Sequence, residues 1–133
     1  VKIRIACPKG YEPHPNVIKK ANEINKNNSF LMITNDPYEA ASGANIIYTD
    51  VWASMGQEKQ KEEKDKDFKN FTVDENLVSK AKANVIVLHC LPAYRSKEIT
   101  NDVIESDKSR IFKQAENRLH VQQALLATML LEK

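Results

Sequence analysis

The chain has 133 residues, 41% of them hydrophobic and 29% charged, with 20 Lys and Arg against 18 Asp and Glu for a net charge of +2. That suffices for one domain with a real core and is too short for two comfortable ones, and the composition argues against wholesale disorder. The basic residues are interspersed with acids, so nucleic acid is not indicated, and neither a membrane-length apolar run nor a signal-peptide pattern is present.

Alternation in Val1-Lys2-Ile3-Arg4-Ile5-Ala6-Cys7 predicts a strand from the first residue, without Met, cap or linker before it, as expected of a piece of something longer. A proline-punctuated loop, Pro8 to Pro15, follows, with Pro15 placed as the first residue of a helix carrying Val17, Ile18, Ala21 and Ile24 at helical spacing and stopped by the Asn-rich run ending at Asn28. The continuous apolar run Phe30 to Thr34 suits a parallel strand buried on both faces. Asp36-Pro37 starts a short helix and Gly43 stops it, and Asn45 to Thr49 is a third strand running into Asp50-Val51-Trp52-Ala53-Ser54-Met55-Gly56.

Gln57 to Asn70 is charged, almost without apolar residues until Phe68, and reads as a solvated helix or a mobile loop lacking an apolar face for docking. Thr72-Val73-Asp74-Glu75 has the form of a capping box ahead of a helix with Val73, Leu77 and Ala81 on one face. Asn84 to Cys90 repeats the buried-strand pattern and ends at Leu91-Pro92. Thr100 caps a brief helix through Val103 and Ile104, Ser109 to Phe112 is expected to be extended, and Gln114 to Leu131 is a last helix with Ala115, Leu119, Leu126 and Leu130 on its apolar face.

Strands alternating with helices in this way imply βαβ units and a mainly parallel sheet, whose ligands sit beyond the carboxyl ends of the strands. The residues after Cys7, the Asp50 loop and Cys90-Leu91-Pro92 should then open onto one cleft. There Asp50 reads either as the receiver of a substrate ammonium or as a loop-capping acid. Cys90 is a nucleophile, a proton-sensitive ligand contact or an inert small hydrophobe, whereas His89, alternating to the other face, and Cys7 read as structural. The two cysteines lie far apart in apolar runs, which gives no disulfide framework or Cys-x-x-Cys metal site and fits a reducing, cytoplasmic compartment. Arg118 either grips a phosphate or carbonyl or pairs on the surface with Glu116 or an earlier acid, and Lys9, Arg95 and Lys97 read as solvated loop cations. No glycine-rich phosphate loop, zinc spacing or Ser-His-Asp order is visible.

The segments Asp50 to Gly56, His89-Cys90-Leu91-Pro92-Ala93 and Glu116-Asn117-Arg118-Leu119-His120 resemble, in order and interval, the ornithine carbamoyltransferase family. Lys9 to Pro13 and Thr72 to Leu77 agree as well, so the likeness runs end to end; Tyr94-Arg95-Ser96 departs from common versions of its loop. The resemblance implies a Rossmann-like parallel sheet flanked by helices. Residues 1–133 would be part of the C-terminal, ornithine-binding domain, lacking its first, central strand, with the carbamoyl-phosphate-binding domain absent. It implies carbamoyl transfer from carbamoyl phosphate to the δ-amine of ornithine, giving citrulline and phosphate, with no metal or organic cofactor and a homotrimer or multiple of trimers as the full-length assembly. Asp50 would hold the ornithine α-ammonium, with Ser54 and Met55 contacting the amino acid from a closing loop. Cys90 would lie by the substrate side chain, and the Cys90-Leu91 backbone with Arg118 would polarise the carbamoyl oxygen. Leu91-Pro92 resembles the family's cis peptide. The missing central strand should leave unpaired sheet edges. Rival readings are a sibling enzyme using putrescine or an N-acylated ornithine, and a non-catalytic binding or assembly piece.

Overall fold

The computed structural model of the chain describes residues 1–24, 30–53, 56 and 61–131. In chain order it forms β1 (Ile3–Ala6), α1 (Pro15–Ile24), β2 (Leu31–Thr34), α2 (Pro37–Ala41), β3 (Ile46–Thr49) and α3 (Lys61–Asp67). After a 3-10 turn at Lys69–Phe71 come α4 (Glu75–Val78), β4 (Ile86–His89), α5 (Asn101–Ile104) and α6 (Ile111–Leu131).

Local signals explain several boundaries. Pro15 opens α1, where its missing N–H costs nothing. Asp36 caps α2 by accepting from Tyr38 N at 2.8 Å, and Gly43 then turns the chain at φ +66° while its N–H donates to Lys80 O. The expected box at Thr72 is not the cap of α4. Asp74 accepts from Leu77 N at 2.8 Å instead, because Val73 is committed to a bridge with Ile99, donating to Glu98 O and accepting from Thr100 N. Thr100 does sit at the N-cap of α5, but without a side-chain cap bond. The run Ser109 to Phe112 is not extended throughout: Ser109 pairs with Val87, and α6 begins two residues later, where Gln114 N reaches back to Arg110 O.

All strand pairing is parallel, in two separate two-stranded sheets, β1 with β2 and β3 with β4. The expected unpaired edges are there: among the described residues β1 and β3 have no strand partner on the sides that line a common cleft of about 340 Å³, with Arg4 and Ala6 on one wall and Ile46 to Asp50 on the other. α2 packs on both β1 and β2 and on α4, and Arg4 donates to Ala40 O and Ser42 O. These contacts tie the halves together.

The core belongs to the second half. Val85, Val87, Ile99, Val103, Ile104 and Ile111 are fully or nearly fully buried around β4. β2 is only half-buried along its length, not buried on both faces, since among the described residues it pairs with β1 alone. α1 has no buried residue. In α6 only Ile111 is buried, and Leu119, Leu126 and Leu130, expected to face a core, are exposed because no other described element reaches them.

Candidate active site at the carboxyl ends of β3 and β4

Parallel pairing of Thr49 with His89 puts the residues after both strands side by side. Asp50 and Cys90 are those residues. The Cys90 thiol donates to Asp50 Oδ1 at 3.0 Å, and the same oxygen accepts from Val51 N at 2.7 Å. Burial pushes the thiol above its ordinary pKa range. The hydrogen bond and charge of Asp50 push the same way, while hydrogen bonds from Tyr48 and from the Cys90 backbone pull back. At neutral pH Cys90 is therefore an S–H group, not a thiolate nucleophile.

Beyond Cys90 the chain turns sharply. Leu91 has φ +58°, and the Leu91–Pro92 peptide bond is cis. Beneath the turn lies a buried pair, His89 and Glu98, both without solvent exposure. Leu91 N donates to His89 Nδ1 at 2.9 Å, so the ring carries its proton on Nε2, which faces Glu98 Oε1 at 3.3 Å. Tyr94 N donates to the same carboxylate oxygen. The pair shapes the loop from below, in keeping with the structural role expected for His89.

Asp50, His89 and Cys90 offer ligand atoms within 4.8 Å of one another. Both ring nitrogens of His89 are already engaged, so a metal there would have to displace a backbone donor or Glu98.

α6 closes the site from its first turns. Gln114 Oε1 accepts from His89 N, and its Nε2 donates to Tyr48 Oη, each at 3.1 Å. One turn on, Arg118 Nη1 donates to Cys90 O at 3.4 Å. Glu116, the expected surface partner of Arg118, engages Lys113 and His120 instead.

The polar segment is helical at α3 and docked. Phe68 stacks on Trp52 with centroids 5.9 Å apart and meets Tyr11 edge-on at 4.9 Å. Tyr11 donates to Asp67 at 2.8 Å, Lys97 pairs with Asp65, and Lys61 lies over the Tyr94 ring. The loops after β1, β3 and β4 thus meet at one edge, as expected of parallel strands. Ser54 and Met55 lie outside the described residues. Of the remaining sequence candidates, Asp50, Cys90, Leu91 and Arg118 come together; Cys7 is buried core, and Lys9 is exposed.

Sequence reasoning missed Glu98, Gln114 and Tyr48. Glu98 stands in a charged stretch, and nothing local marks it as buried. Gln114 was recoverable in principle, standing four residues before Arg118 and hence on the same face of the helix.

Residues 1–129 match the model of the aspartate/ornithine carbamoyltransferase Asp/Orn-binding domain. The chain is 67% identical over 130 residues to an ornithine carbamoyltransferase of Prochlorococcus marinus subsp. pastoris, covering 98% of this chain and 42% of that protein. It is 66% identical, over the same shares, to the ornithine carbamoyltransferase of Prochlorococcus marinus strain MIT 9312. Among solved structures, ornithine carbamoyltransferase from Pyrococcus furiosus superposes with a TM-score of 0.85 at 47% identity, over 96% of this chain and 41% of that one. The chain thus spans well under half the length of the relatives it matches. The match of the domain model over residues 1–129 and the likeness to these relatives lead to one conclusion: the chain belongs to the aspartate/ornithine carbamoyltransferase family, through the Asp/Orn-binding domain.

Proposed function

We propose that residues 1–133 are part of the ornithine-binding half of a cytoplasmic ornithine carbamoyltransferase. The full-length enzyme would act as a homotrimer or multiple of trimers, with carbamoyl phosphate bound by a domain outside these residues. The observation that carries the reading is the 3.0 Å contact between the Cys90 thiol and Asp50 at the ends of adjacent parallel strands, with Arg118 on the Cys90 carbonyl. An anionic oxygen beside an uncharged thiol suits an amino acid that enters with a charged α-ammonium and must react through a neutral amine.

In this reading Asp50 takes the α-ammonium, and Ser54 and Met55 contact the amino acid. The δ-amine of free ornithine has a pKa of about 10, so it must lose a proton before it attacks. A half-buried site beside an S–H group favours the neutral amine, where a second carboxylate would favour the ammonium. The amine nitrogen then bonds to the carbamoyl carbon, negative charge gathers on the carbamoyl oxygen, and the carbon–oxygen bond to phosphate breaks as the nitrogen sheds its extra proton. Arg118 and the Cys90-Leu91 backbone stabilise that developing charge.

Phosphate release and ureido-product formation by the full-length enzyme, offered carbamoyl phosphate with ornithine, putrescine or N-acetylornithine in parallel, test the proposal. Ornithine should be preferred by kcat/KM. Preference for putrescine would remove the ammonium role of Asp50, and preference for N-acetylornithine would remove the free α-amine from the substrate.

A further inference from the structure

α6 starts where a further strand beside β4 would have continued. Val87 N donates to Lys108 O and Arg110 N donates to Val87 O, each at 2.9 Å, so Ser109 pairs with Val87 along the outer edge of β4. The next amide on that edge, two residues on, is His89 N. The chain has by then turned into α6 at Ile111, and a side chain takes the place of a strand carbonyl: Gln114 Oε1 accepts from His89 N at 3.1 Å. A backbone amide can only donate, which fixes the orientation of the Gln114 amide and turns its Nε2 to Tyr48 Oη, again at 3.1 Å. One side chain thus ties α6 to both β3 and β4.

Further along, the helix has little else to hold it. Ile111 is its buried residue, and from Glu116 onward every described residue is exposed. Ile111 and Gln114 are therefore the two fixings of a lever. Arg118 stands on that lever about 10 Å along the axis from Ile111. A tilt of about 10° at the first turn moves it by roughly 2 Å, enough to break the 3.4 Å contact between Arg118 Nη1 and Cys90 O.

We propose that Gln114 is a positioning residue for Arg118: its amide fixes the angle of α6 on β3 and β4, and that angle sets whether the guanidinium reaches the Cys90 carbonyl. The catalytic consequence rests on the functional reading above, in which Arg118 stabilises charge on the carbamoyl oxygen; the geometry does not. A primary amide suits the task because it offers an acceptor to one strand and a donor to the other. Met has the length of Gln and neither hydrogen bond. Glu keeps the acceptor for His89 N, and Tyr48 Oη, a hydroxyl able to donate or accept, can turn its own proton to the second carboxylate oxygen.

The test compares wild type, Gln114→Met, Gln114→Glu, Tyr48→Phe and Arg118→Lys in the full-length enzyme, with Gln114→Met also combined with Arg118→Lys. Gln114→Met should lower kcat roughly ten- to a hundredfold, the loss expected when a catalytic group is displaced by an ångström or so. KM for ornithine should stay within about twofold, because Asp50 is held by β3 and not by α6. Gln114→Glu should restore most of the lost kcat. In the Arg118→Lys background Gln114→Met should cost much less than it does alone, since its effect passes through the arginine. Full additivity in the double variant would overturn the proposal, and so would a lowered unfolding midpoint with kcat unmoved.

Phenylglyoxal modification of Arg118, read by peptide mass mapping, needs no turnover. It should be roughly two- to fivefold faster in Gln114→Met, as the release of one long hydrogen bond allows, and unchanged in Gln114→Glu. Tyr48→Phe frees one end of the amide while leaving His89 N satisfied, so the fold is kept and the same acceleration should appear in smaller measure. Faster modification in an enzyme that makes no citrulline from ornithine sinks the functional reading and leaves this one standing. Unchanged modification in both Gln114→Met and Tyr48→Phe, in an enzyme that does make citrulline, sinks this one alone.

Discussion

Asp50 serves two neighbours whose demands differ. Toward the thiol it is an acceptor that holds a proton on sulfur; toward an amino acid it is the anion for an ammonium. Replacing it with Asn keeps the shape and removes the charge. In the full-length enzyme Asp50→Asn should raise the KM for ornithine roughly 10- to 150-fold, equivalent to a charge-assisted hydrogen bond of about 1.5–3 kcal/mol. The same change removes the charge of Asp50 as a cause that raises the Cys90 pKa and weakens its hydrogen bond, so alkylation at a fixed pH near 8 should become faster. Steady-state kinetics with thiol mapping reads both effects. Glu98 offers a stability test at the same scale. One of its oxygens receives His89 Nε2 and Tyr94 N, in a place with no solvent. Glu98→Ala would leave both donors unsatisfied and should cost about 1–3 kcal/mol in urea unfolding. Glu98→Gln retains an acceptor and should cost less. Equal losses in the two variants would mean that the carboxylate, not the hydrogen bonds, shapes the Leu91 turn.

At the scale of elements, α3 shows what a hydrophobicity pattern cannot convey. Lys61 to Asp67 has no apolar stripe, and by periodicity alone it has no reason to dock. It is held by one aromatic just past its end, Phe68, inserted between Trp52 and Tyr11, and by polar contacts from Asp65 and Asp67 to loops far away in sequence. Aromatic pairs of this kind contribute about 0.5–1.5 kcal/mol each beyond burial. Phe68→Ala should therefore loosen α3 with little effect on the β4 core: trypsin should cut faster at Lys61, Lys64 and Lys66, while the melting temperature moves little. Unchanged cleavage would show that the polar contacts suffice. By contrast, β4 was legible from its own residues, because Val85 and Val87 belong to a run that makes sense only as a buried strand. Asp36 and Pro15 marked their helices for an equally local reason, a backbone donor satisfied or removed within two residues. Thr72 misled because Asp74, two residues on, competes for the same role, and the pairing of Val73 with Ile99 that decides between them is not a local property. The site divides in the same way. Asp50 and Cys90 end recognisable strands, so the topology rule joins them; Gln114 and Glu98 join only through the turn after Cys90 and the placement of α6.

At the scale of the whole molecule, apolar surface is distributed unevenly. The β4 side has a closed core, whereas β1 and β3 present unpaired edges to one cleft and α6 carries Leu119, Leu126, Met129 and Leu130 in the open. Unpaired parallel edges offer rows of backbone donors and acceptors, and an exposed apolar helix offers area; each favours association with whatever chain is nearest. The 133-residue chain prepared by itself should accordingly self-associate. Sedimentation velocity should show a weight-average mass that climbs between micromolar and near-millimolar concentration. Amide exchange should remain fast on Arg4, Ala6, Ile46 and Tyr48, whose N–H groups face the open edges, and slow along β4, which lies inside a closed core. In the full-length enzyme the unpaired β1 and β3 amides should become protected and the open-ended, concentration-dependent growth should give way to an assembly of fixed size, because both surfaces would then be covered within one protomer. A monomer at high concentration with slow exchange on β3 would show that the two half-sheets close on each other without help, and would remove the reason for expecting a further strand between them.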